Sequence, residues 1–136
     1  MTIQLLINRN AKQTIRKHLK KEKHLNTLEE YMFVDSWLNE RGTVKCYMNR
    51  DDETIYSFAL LSKMDYDPEE KHTNPFILNF IYTSPKHRGN HHAYDLIIHL
   101  KEREQMTAIC SNSISEHLFE KAGFSSGEYM RMYRYP

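Results

Sequence analysis

The sequence predicts a mixed α+β domain, and three observations carry this prediction. Apolar runs with strand spacing and apolar patterns with helical spacing follow one another in the order β-α-α-β-β-β-α-β-α-β. The run of residues 76–82 is apolar with little polar alternation, which is typical of a strand buried on both faces. A helical pattern and a second apolar strand follow it. Residues 76–111 therefore predict a parallel βαβ unit with a right-handed crossover.

Length and composition restrict the classes of function. The 136 residues, 40% hydrophobic and 27% charged, fit one soluble globular domain. A formal net charge of +1 argues against nucleic acid or an anionic membrane as a partner. The two cysteines, Cys46 and Cys110, imply no disulfide framework, and neither a signal peptide nor a membrane span is evident. We therefore expect a reduced, cytoplasmic protein, whose oligomeric state, a homodimer included, stays open.

The first half of the chain predicts a strand, two helices and a hairpin. Their expected bounds are a strand at 2–8, a helix at 11–21 capped by Asn10, a helix from a cap at Asn26 or Thr27 to Gly42, and strands at 43–48 and 54–61 around a turn at 49–52. Residues 12–24 are rich in Lys and Arg, with Glu22 as the one acidic residue. This pattern fits either a solvated helix face or a contact site for an acidic partner.

The second half predicts a loop, the βαβ unit, a further helix and a last strand. Their expected bounds are a loop at 65–75, a strand at 76–82 that Pro85 ends, a helix at 93–104, a strand at 106–110, a helix from a cap at Asn112 or Ser113 to Lys121, closed by Gly123, and a strand at 128–135.

The most informative segment lies between the buried strand and the next helix. The first backbone N–H groups of a helix lack intrahelical partners and the helix dipole favours negative charge there, so such an end binds phosphate. Gly89 lets the backbone approach a ligand closely, and Arg88 adds a charge-assisted contact. An ordinary left-handed turn would use the same residues, so the loop alone leaves both interpretations open.

Two motifs make this half of the chain resemble the GNAT superfamily of N-acetyltransferases. The family's cofactor loop, Arg/Gln-x-x-Gly-x-Gly/Ala, is matched by Arg88–Ala93, and its frequent Pro-x-x-Arg-Gly lead-in by Pro85–Gly89. A second signature is matched by Asn112, Ser115, Leu118, Phe119, Glu120, Lys121, Gly123 and Phe124. The resemblance is clear over residues 76–124 and is limited to element order before them. It implies a GNAT-type mixed, splayed β-sheet flanked by helices on both faces, with residues 1–136 as a single acyl-CoA N-acyltransferase-like domain.

The resemblance further implies acetyl-CoA as co-substrate and a primary amine, on a small molecule or a protein, as acceptor. The amine would attack directly in a ternary complex. The strand end would bind the pantetheine arm through its backbone, and the loop would wrap the pyrophosphate. The residues assigned to the cofactor on this basis are Ile81, Tyr82, Thr83, Arg88, Gly89, Asn90, His91, His92, Ala93, Asn112 and Phe119.

Three positions depart from the family pattern. His91 replaces the central glycine of the loop, where a Cβ limits close backbone approach but a protonated imidazole could meet a phosphate. Phe119 stands where a tyrosine often protonates the departing thiolate. Asn79 stands where a glutamate often acts as the base, and an amide cannot take that role.

The candidate catalytic residues are therefore Asn79, Tyr82 and Cys110. Asn79 could hold a water that takes the amine proton, and Tyr82 could donate a proton. Regular strand alternation would place these two side chains on opposite faces of the sheet. Cys110 ends the neighbouring strand and is either a nucleophile or a buried, inert thiol. The clustered histidines lack the spacing of zinc ligands, so no metal is expected.

The same departures support an alternative of a different class, namely a catalytically degenerate acyl-CoA-binding or protein-interaction module. Such a protein would bind CoA and transfer nothing. The acceptor is not identified by the sequence, because its site would be formed by residues 11–41 and 62–75, where the resemblance is weakest.

Overall fold

The computed structural model describes residues 2–22, 28–67, 72–109, 113–126 and 132–135. The elements follow the predicted order, with one short extra strand near the C-terminus. In chain order they are β1 (Thr2–Ile7), α1 (Asn8–Glu22), α2 (Leu28–Leu38), β2 (Val44–Arg50), β3 (Ile55–Lys63), β4 (Pro75–Thr83), a 3₁₀ helix (Pro85–His87), α3 (His92–Lys101), β5 (Gln105–Ile109), α4 (Ser113–Lys121), β6 (Ser125–Ser126) and β7 (Met132–Tyr135). Within the described ranges, no helix is long and apolar enough to cross a membrane.

All seven strands belong to one mixed sheet, in the order β1-β2-β3-β4-β5-β7-β6. Neighbouring strands are antiparallel except for β4 and β5, which are parallel. The chain between these two strands contains α3, so the predicted βαβ unit is confirmed. Parallel strands need such a crossover because their ends are far apart.

Helices cover both faces of the sheet, as expected. On the α1/α2 face the buried apolar residues are Ala11, Ile15, Val34, Trp37, Val44, Cys46, Met48, Phe58, Leu60 and Tyr82. On the α3/α4 face they are Tyr47, Ala59, Leu61, Phe76, Leu78, Leu96, Ile97, Leu100, Met106, Ala108, Phe119, Ala122, Phe124 and Tyr133. Successive side chains of a strand point to opposite faces, so Leu60 and Leu61 of β3 lie in different cores.

One extra residue, Asn79, interrupts the pairing of β4 with β3. Leu60 pairs with Phe80, whereas the next residue of β3, Leu61, pairs with Leu78. This two-against-one arrangement is a β-bulge, which bends the strand and increases its twist. The sequence prediction treated residues 76–82 as a regular strand and did not include the bulge.

The bulge reverses the alternation of side chains along β4. Leu78 lies in the α3/α4 core, whereas Tyr82, an even number of residues later, lies in the α1/α2 core. Asn79 accepts a hydrogen bond of 2.8 Å from the Ser62 hydroxyl. Ser62 follows Leu61 of the α3/α4 core, so it points to the α1/α2 face. Asn79 and Tyr82 therefore share this face, which corrects the expectation that strand alternation separates them.

The two parallel strands separate beyond Leu78. Their pairing runs from Pro75 with Gln105 to Leu78 with Ala108, whereas β4 stays paired with β3 as far as Thr83. Among the described strands, none pairs with the second edge of β4 from residue 79 onward. From residue 79 onward, the outward backbone N–H and C=O groups of β4 therefore have no strand partner within the described part of the chain. This is the splay that the family resemblance implied.

The corner between β1 and α1 is tighter than predicted, since α1 begins at Asn8 and not after a cap at Asn10. The φ of Asn8 is +53°, in the left-handed region that asparagine tolerates better than most residues. Its Oδ1 accepts a hydrogen bond of 3.0 Å from the backbone N–H of Val44. The strand thus turns directly into the helix. The predicted caps Asn26, Thr27 and Asn112 lie outside the described residues.

The hairpin turn also lies two residues later than predicted, because Asn49 and Arg50 belong to β2. Asn49 pairs with Ser57 and is buried, so this polar residue is part of the sheet and not of an exposed turn. The turn is closed by a hydrogen bond of 2.9 Å from the N–H of Asp51 to the carbonyl oxygen of Thr54.

Two helices end earlier than predicted, α2 at Leu38 instead of Gly42 and α3 at Lys101 instead of Glu104. After α3, the N–H of Glu104 returns to the carbonyl oxygen of Leu100 at 2.8 Å. This closing turn lets the chain enter β5 directly, so the glutamate lies outside the helix.

Candidate functional site

A cleft of about 370 Å³ opens where β4 ends, between the following loop, the first turn of α3 and one side of α4. Its described lining residues are Ile81, Tyr82, Thr83, His87, Arg88, Gly89, His91, His92, Ala93, Tyr94, Leu118 and Lys121. Most of the residues assigned to the cofactor from the sequence thus meet at one site. The cleft adjoins the gap between β4 and β5.

The loop backbone is shaped to leave open space at Gly89. The 3₁₀ helix is closed by the N–H of His87, which donates to the carbonyl oxygen of Ser84 at 2.8 Å. Gly89 then has φ +87°, and a Cβ built there would have no heavy atom within 4 Å. The glycine is therefore required by the left-handed backbone, and a ligand has room to approach it.

His91 occupies a backbone conformation that glycine adopts without strain. It is the N-cap of α3, with φ 61° and ψ 19°, and its carbonyl oxygen accepts the first helical hydrogen bond, 2.9 Å from the N–H of Asp95. A left-handed conformation costs a residue with a Cβ roughly 1–2 kcal/mol. Glycine would adopt this conformation without that cost, which gives a physical reason for the glycine in the family motif. In this chain His91 carries the strain instead.

Two cationic side chains border the cleft. Arg88 donates from Nε to the carbonyl oxygen of Thr83 at 3.1 Å, and its guanidinium carbon lies 5.4 Å from the centre of the Tyr82 ring. Lys121 of α4 places Nζ 4.9 Å from the centre of the Tyr94 ring. None of the described lining residues carries a carboxylate. The cleft is therefore electropositive and suits an anionic group such as a pyrophosphate.

Tyr56 of β3 contacts both ends of the loop. Its ring meets His87 edge-on at 4.7 Å and stacks on His92 at 4.8 Å with an interplanar angle of 13°. The Tyr56 hydroxyl donates to the carboxylate of Asp51. His92 is buried, with Nδ1 3.5 Å from the side-chain nitrogen of Asn49. His92 thus holds the loop against the sheet.

The candidate catalytic residue Asn79 lies at the bulge, beside the gap. Its Oδ1 accepts the hydrogen bond from Ser62, and its remaining polar atom, Nδ2, is only a donor. Asn79 therefore orients or donates but does not abstract a proton. The candidate Cys110 and the predicted cofactor residue Asn112 lie outside the described residues.

The second candidate, Tyr82, is buried in an aromatic group. It stacks on Phe80 at 5.7 Å, and its ring centre is 5.8 Å from that of Phe58. Burial raises the pKa of the Tyr82 phenol above its ordinary value of 10.0, the positive charge of Arg88 lowers it in part, and the negative charge of Glu30 raises it. The phenol is consequently protonated at neutral pH and is a hydrogen-bond donor.

Two predicted cofactor residues do not line the cleft. Phe119 is 3% exposed and packs edge-on against Phe124, 5.2 Å away, in the α3/α4 core. Asn90 is exposed at the loop surface and donates to the carbonyl oxygen of His87 at 3.4 Å. Leu118 and Lys121 take the cleft side of α4 instead. Residues three apart share a helix face, so this i, i+3 spacing was the signal that sequence reasoning missed.

The described residues contain no group of three or more His, Cys, Asp or Glu side chains placed to hold a metal ion. The His87 and His92 rings are close, with centroids 6.3 Å apart, but both are engaged with Tyr56. Cys46 is buried, and burial raises the pKa of its thiol, so it is an inert core residue.

Comparison with known proteins gives structural likeness only: no family model and no curated protein matches the sequence. Aminoglycoside N-acetyltransferase AAC(6')-Iy in complex with CoA is 20% identical, with 98% of each chain covered and a TM-score of 0.63. A ribosomal-protein-alanine N-acetyltransferase from Brucella melitensis biovar Abortus 2308 is 16% identical over 95% of each chain, with a TM-score of 0.63. A protein from Desulfovibrio desulfuricans, assigned to the GNAT family, is 14% identical over 98% of each chain, with a TM-score of 0.64.

These similarities extend over almost the whole of both chains in each pair. The sequence identities are low, so the similarities show the fold and do not indicate the substrate. They agree with the mixed sheet flanked by helices that this chain forms. The fold expected from the two sequence motifs is confirmed: the chain has the fold of the GNAT acetyltransferases.

Proposed function

We propose that this protein is a cytoplasmic, acetyl-CoA-dependent N-acetyltransferase that acetylates a primary amine, with residues 1–136 as its single domain. The observation that carries the proposal is the electropositive cleft at the end of β4. There a left-handed glycine with open space, a helix N-terminus and two cations adjoin an unpaired strand edge. This combination suits a ligand in which a pyrophosphate continues into an extended arm with amide groups, as in CoA.

Different groups of the chain would bind different parts of CoA. The N–H groups of the loop and of the first turn of α3 would hold the pyrophosphate, because they lack intrahelical partners. Arg88 and Lys121 would add charge-assisted contacts to it. The outward backbone groups of Ile81–Thr83 would pair with the amides of the arm, which would lie beside β4 as an added strand. Acetyl-CoA supplies the activated thioester.

The transfer joins the amine nitrogen to the thioester carbonyl carbon. A C–N bond forms and the C–S bond breaks, while the nitrogen loses a proton and the sulfur gains one. Backbone N–H groups of β4 near the bulge would polarise the carbonyl. Asn79 would orient a water that accepts the amine proton, and Tyr82 would donate its phenol proton to the departing sulfur and regain one from solvent. Cys110 stays a third candidate. Since no described carboxylate takes the base role, positioning would supply most of the rate enhancement.

The test is to incubate the purified protein with acetyl-CoA labelled in its acetyl group and a panel of primary amines, and to follow the label. We expect transfer to at least one amine. A Gly89→Asp variant serves as the control, because it should lose both CoA binding and transfer, whereas a contaminating enzyme would be unaffected. Binding of CoA without transfer or hydrolysis would overturn the enzyme proposal.

Asn79 and Phe119 favour a second candidate, an acyl-CoA-binding or protein-interaction module that has lost catalysis. Asn79 carries no base, and Phe119 lies in the core without a hydroxyl to donate. The same labelling experiment decides between the two functions, because the module would retain CoA and leave the label in place.

A further inference from the structure

Three aromatic residues, Phe33, Phe80 and Tyr82, form a stacked row on the α1/α2 face, which we name the aromatic ladder. Phe33 of α2 stacks on Phe80 of β4, with ring centres 6.1 Å apart and an interplanar angle of 23°. Phe80 stacks on Tyr82 at 5.7 Å and 16°. Phe58 of β3 supports Phe80 and Tyr82, at 6.2 Å and 5.8 Å. Rings at these distances and angles form favourable aromatic pairs.

The two ends of the aromatic ladder differ in their surroundings. At the inner end, Arg88 of the cofactor loop lies over the Tyr82 ring. At the outer end, Tyr31, Met32 and Phe33 are 53%, 62% and 38% exposed. Of these three residues, Phe33 is the one that stacks on Phe80, so the ladder ends at an exposed apolar side chain. The ladder thus leads from the surface of α2 to the proposed cofactor cleft.

The middle of the aromatic ladder lies where the chemistry is proposed. Phe80 is half-buried and directly follows Asn79, the bulged residue at the start of the gap between β4 and β5. An amine whose body rests on Phe33 and Phe80 therefore approaches the strand at the position assigned to the thioester carbonyl. The location of the ladder and the location of the gap are independent features of the fold.

Charge on this face restricts the kind of amine. Glu30 precedes Phe33 by three residues in α2, so the two side chains share a face of this helix. Its negative charge also raises the pKa of the Tyr82 phenol, after burial and the opposing charge of Arg88. The basic helix α1 lies on the same face, and its cationic residues are Arg9, Arg16, Lys12, Lys17, Lys20 and Lys21, with no acidic residue among 8–21. A single ammonium group is attracted by Glu30, whereas a polycation is repelled by α1.

We infer that the aromatic ladder and Glu30 form the acceptor site, and that the acceptor is a monoamine carried on an aromatic or apolar body. This inference rests on the proposed function and specifies its substrate class. The apolar body packs on Phe33 and Phe80, and the ammonium lies near Glu30 before it loses its proton. Aromatic faces add to this, since they attract an ammonium group. A sugar with several ammonium groups fits neither the apolar ladder nor the charge of α1.

The test compares kcat/KM for 2-phenylethylamine, a polyamine and an aminoglycoside. We expect 2-phenylethylamine to exceed both polycations by about tenfold or more, a ratio that one well-packed aromatic contact supplies. Phe33→Ala should lower its kcat/KM by about tenfold, through KM, with the Kd for CoA unchanged. Leu5→Ala is the matched control, because Leu5 is an apolar residue of β1, 41% exposed, that lies outside the ladder and outside residues 11–41 and 62–75. This control should leave both quantities unchanged.

Transfer that favours a polycation, or a Phe33→Ala variant with unchanged kcat/KM, would overturn the acceptor site and leave the acetyltransferase proposal standing. If no amine is acetylated, calorimetry of 2-phenylethylamine with the CoA-saturated protein still tests the ladder. Binding that Phe33→Ala weakens would support the site without the function, and absence of binding would overturn it. Circular dichroism of each variant checks that it is folded.

Discussion

Trp37 donates its indole N–H to the carbonyl oxygen of Leu61 across 2.9 Å, at the point in β3 where pairing with β4 shifts by one residue. Trp37 belongs to α2 and is fully buried, and Leu61 lies opposite the bulge at Asn79. Odd-numbered residues of β3 direct their backbone groups to β2, as the N–H of Lys63 does to Thr43, and the pairing of Leu61 with Lys45 is regular. The indole therefore adds a hydrogen bond at the Leu61 carbonyl oxygen and fixes α2 on β3 beside the bulge.

We predict that Trp37→Phe lowers the free energy of unfolding by about 1–3 kcal/mol, because it removes the indole hydrogen bond and leaves unfilled space beside a smaller ring at a fully buried position. Urea unfolding followed by circular dichroism measures the change, since the variant lacks the chain's one tryptophan. Tyr31→Phe, at an exposed position of the same helix, should stay within about 0.5 kcal/mol of the wild type. An unchanged midpoint for Trp37→Phe would contradict this role.

The bulge also shows where sequence reasoning about the fold stops. The strand at 76–82 and the parallel unit were predictable because apolar runs and helical spacing are local signals. The extra residue was not, because the bulge at Asn79 is defined by the register of β4 against β3, where Asn79 bonds Ser62. Such partners are distant in sequence. The apolar pattern of residues 76–82 does not show to which face of the sheet each side chain of β4 points.

Arg88→Ala should weaken CoA binding by roughly 10- to 100-fold, the effect of losing a charge-assisted contact worth about 1.5–3 kcal/mol. The CoA affinity of Arg88→Lys should lie between those of the wild type and of Arg88→Ala, because lysine keeps the charge but lacks the Nε–H that fixes Arg88 on Thr83. Calorimetry at fixed salt measures both. Arg103→Ala removes a guanidinium beyond the far end of α3 and should bind CoA as the wild type does.

Gly89→Asp and Gly89→Asn form a matched pair that isolates charge at the cleft. Asparagine and aspartate both visit the left-handed region that φ +87° requires, so the two variants share their backbone strain. They differ by one negative charge. We expect Gly89→Asp to bind CoA at least about tenfold more weakly than Gly89→Asn, with a ratio that shrinks at high salt. Equal affinities would place the pyrophosphate elsewhere.

His91→Gly should raise the free energy of unfolding by about 1 kcal/mol, because φ 61° strains a residue with a Cβ and does not strain glycine. Urea unfolding measures the change. Asn90→Gly is the control, since Asn90 is not among the described residues with positive φ, so glycine there should destabilise by about 0.5–1 kcal/mol. A destabilised His91→Gly variant would show that contacts of the imidazole outweigh its backbone strain.

The position of the loop was predictable from a glycine between a buried strand and a helix, whereas its assignment to a cofactor depended on the resemblance of both motifs to the family. For α4, the motif assigned Phe119 to the cofactor, whereas the residues of this helix that line the cleft are Leu118 and Lys121. Leu118 and Phe119 are adjacent, and a helix turns each residue by about 100° from the last. Only the packing of Phe119 against Phe124 decides that Leu118 borders the cleft. Lys121 follows from Leu118, since residues three apart share a face.

Tyr47 should make the protein sensitive to alkaline pH. Burial raises the pKa of its phenol, and the hydrogen bond and negative charge of Glu104 raise it further. The folded-state pKa is thus above the value of about 10 expected in the unfolded chain. The stabilisation is complete below that pH, and it decreases above it because the unfolded chain releases the proton first. For one such group the free energy of unfolding falls by at most about 1.4 kcal/mol per pH unit.

Tyr47→Phe should therefore flatten the decrease in the free energy of unfolding above pH 10, as followed by urea midpoints over a pH series. Near neutral pH the same variant should lose about 1 kcal/mol, because Glu104 keeps Lys45 as a partner at 2.9 Å but loses the phenol. Phe76→Leu is the control: it weakens the same core, against which Lys45 packs at 4.4 Å, without removing a phenol. This control should be less stable at every pH and keep the wild-type slope, and an equal slope in Tyr47→Phe would assign the alkaline sensitivity to another group.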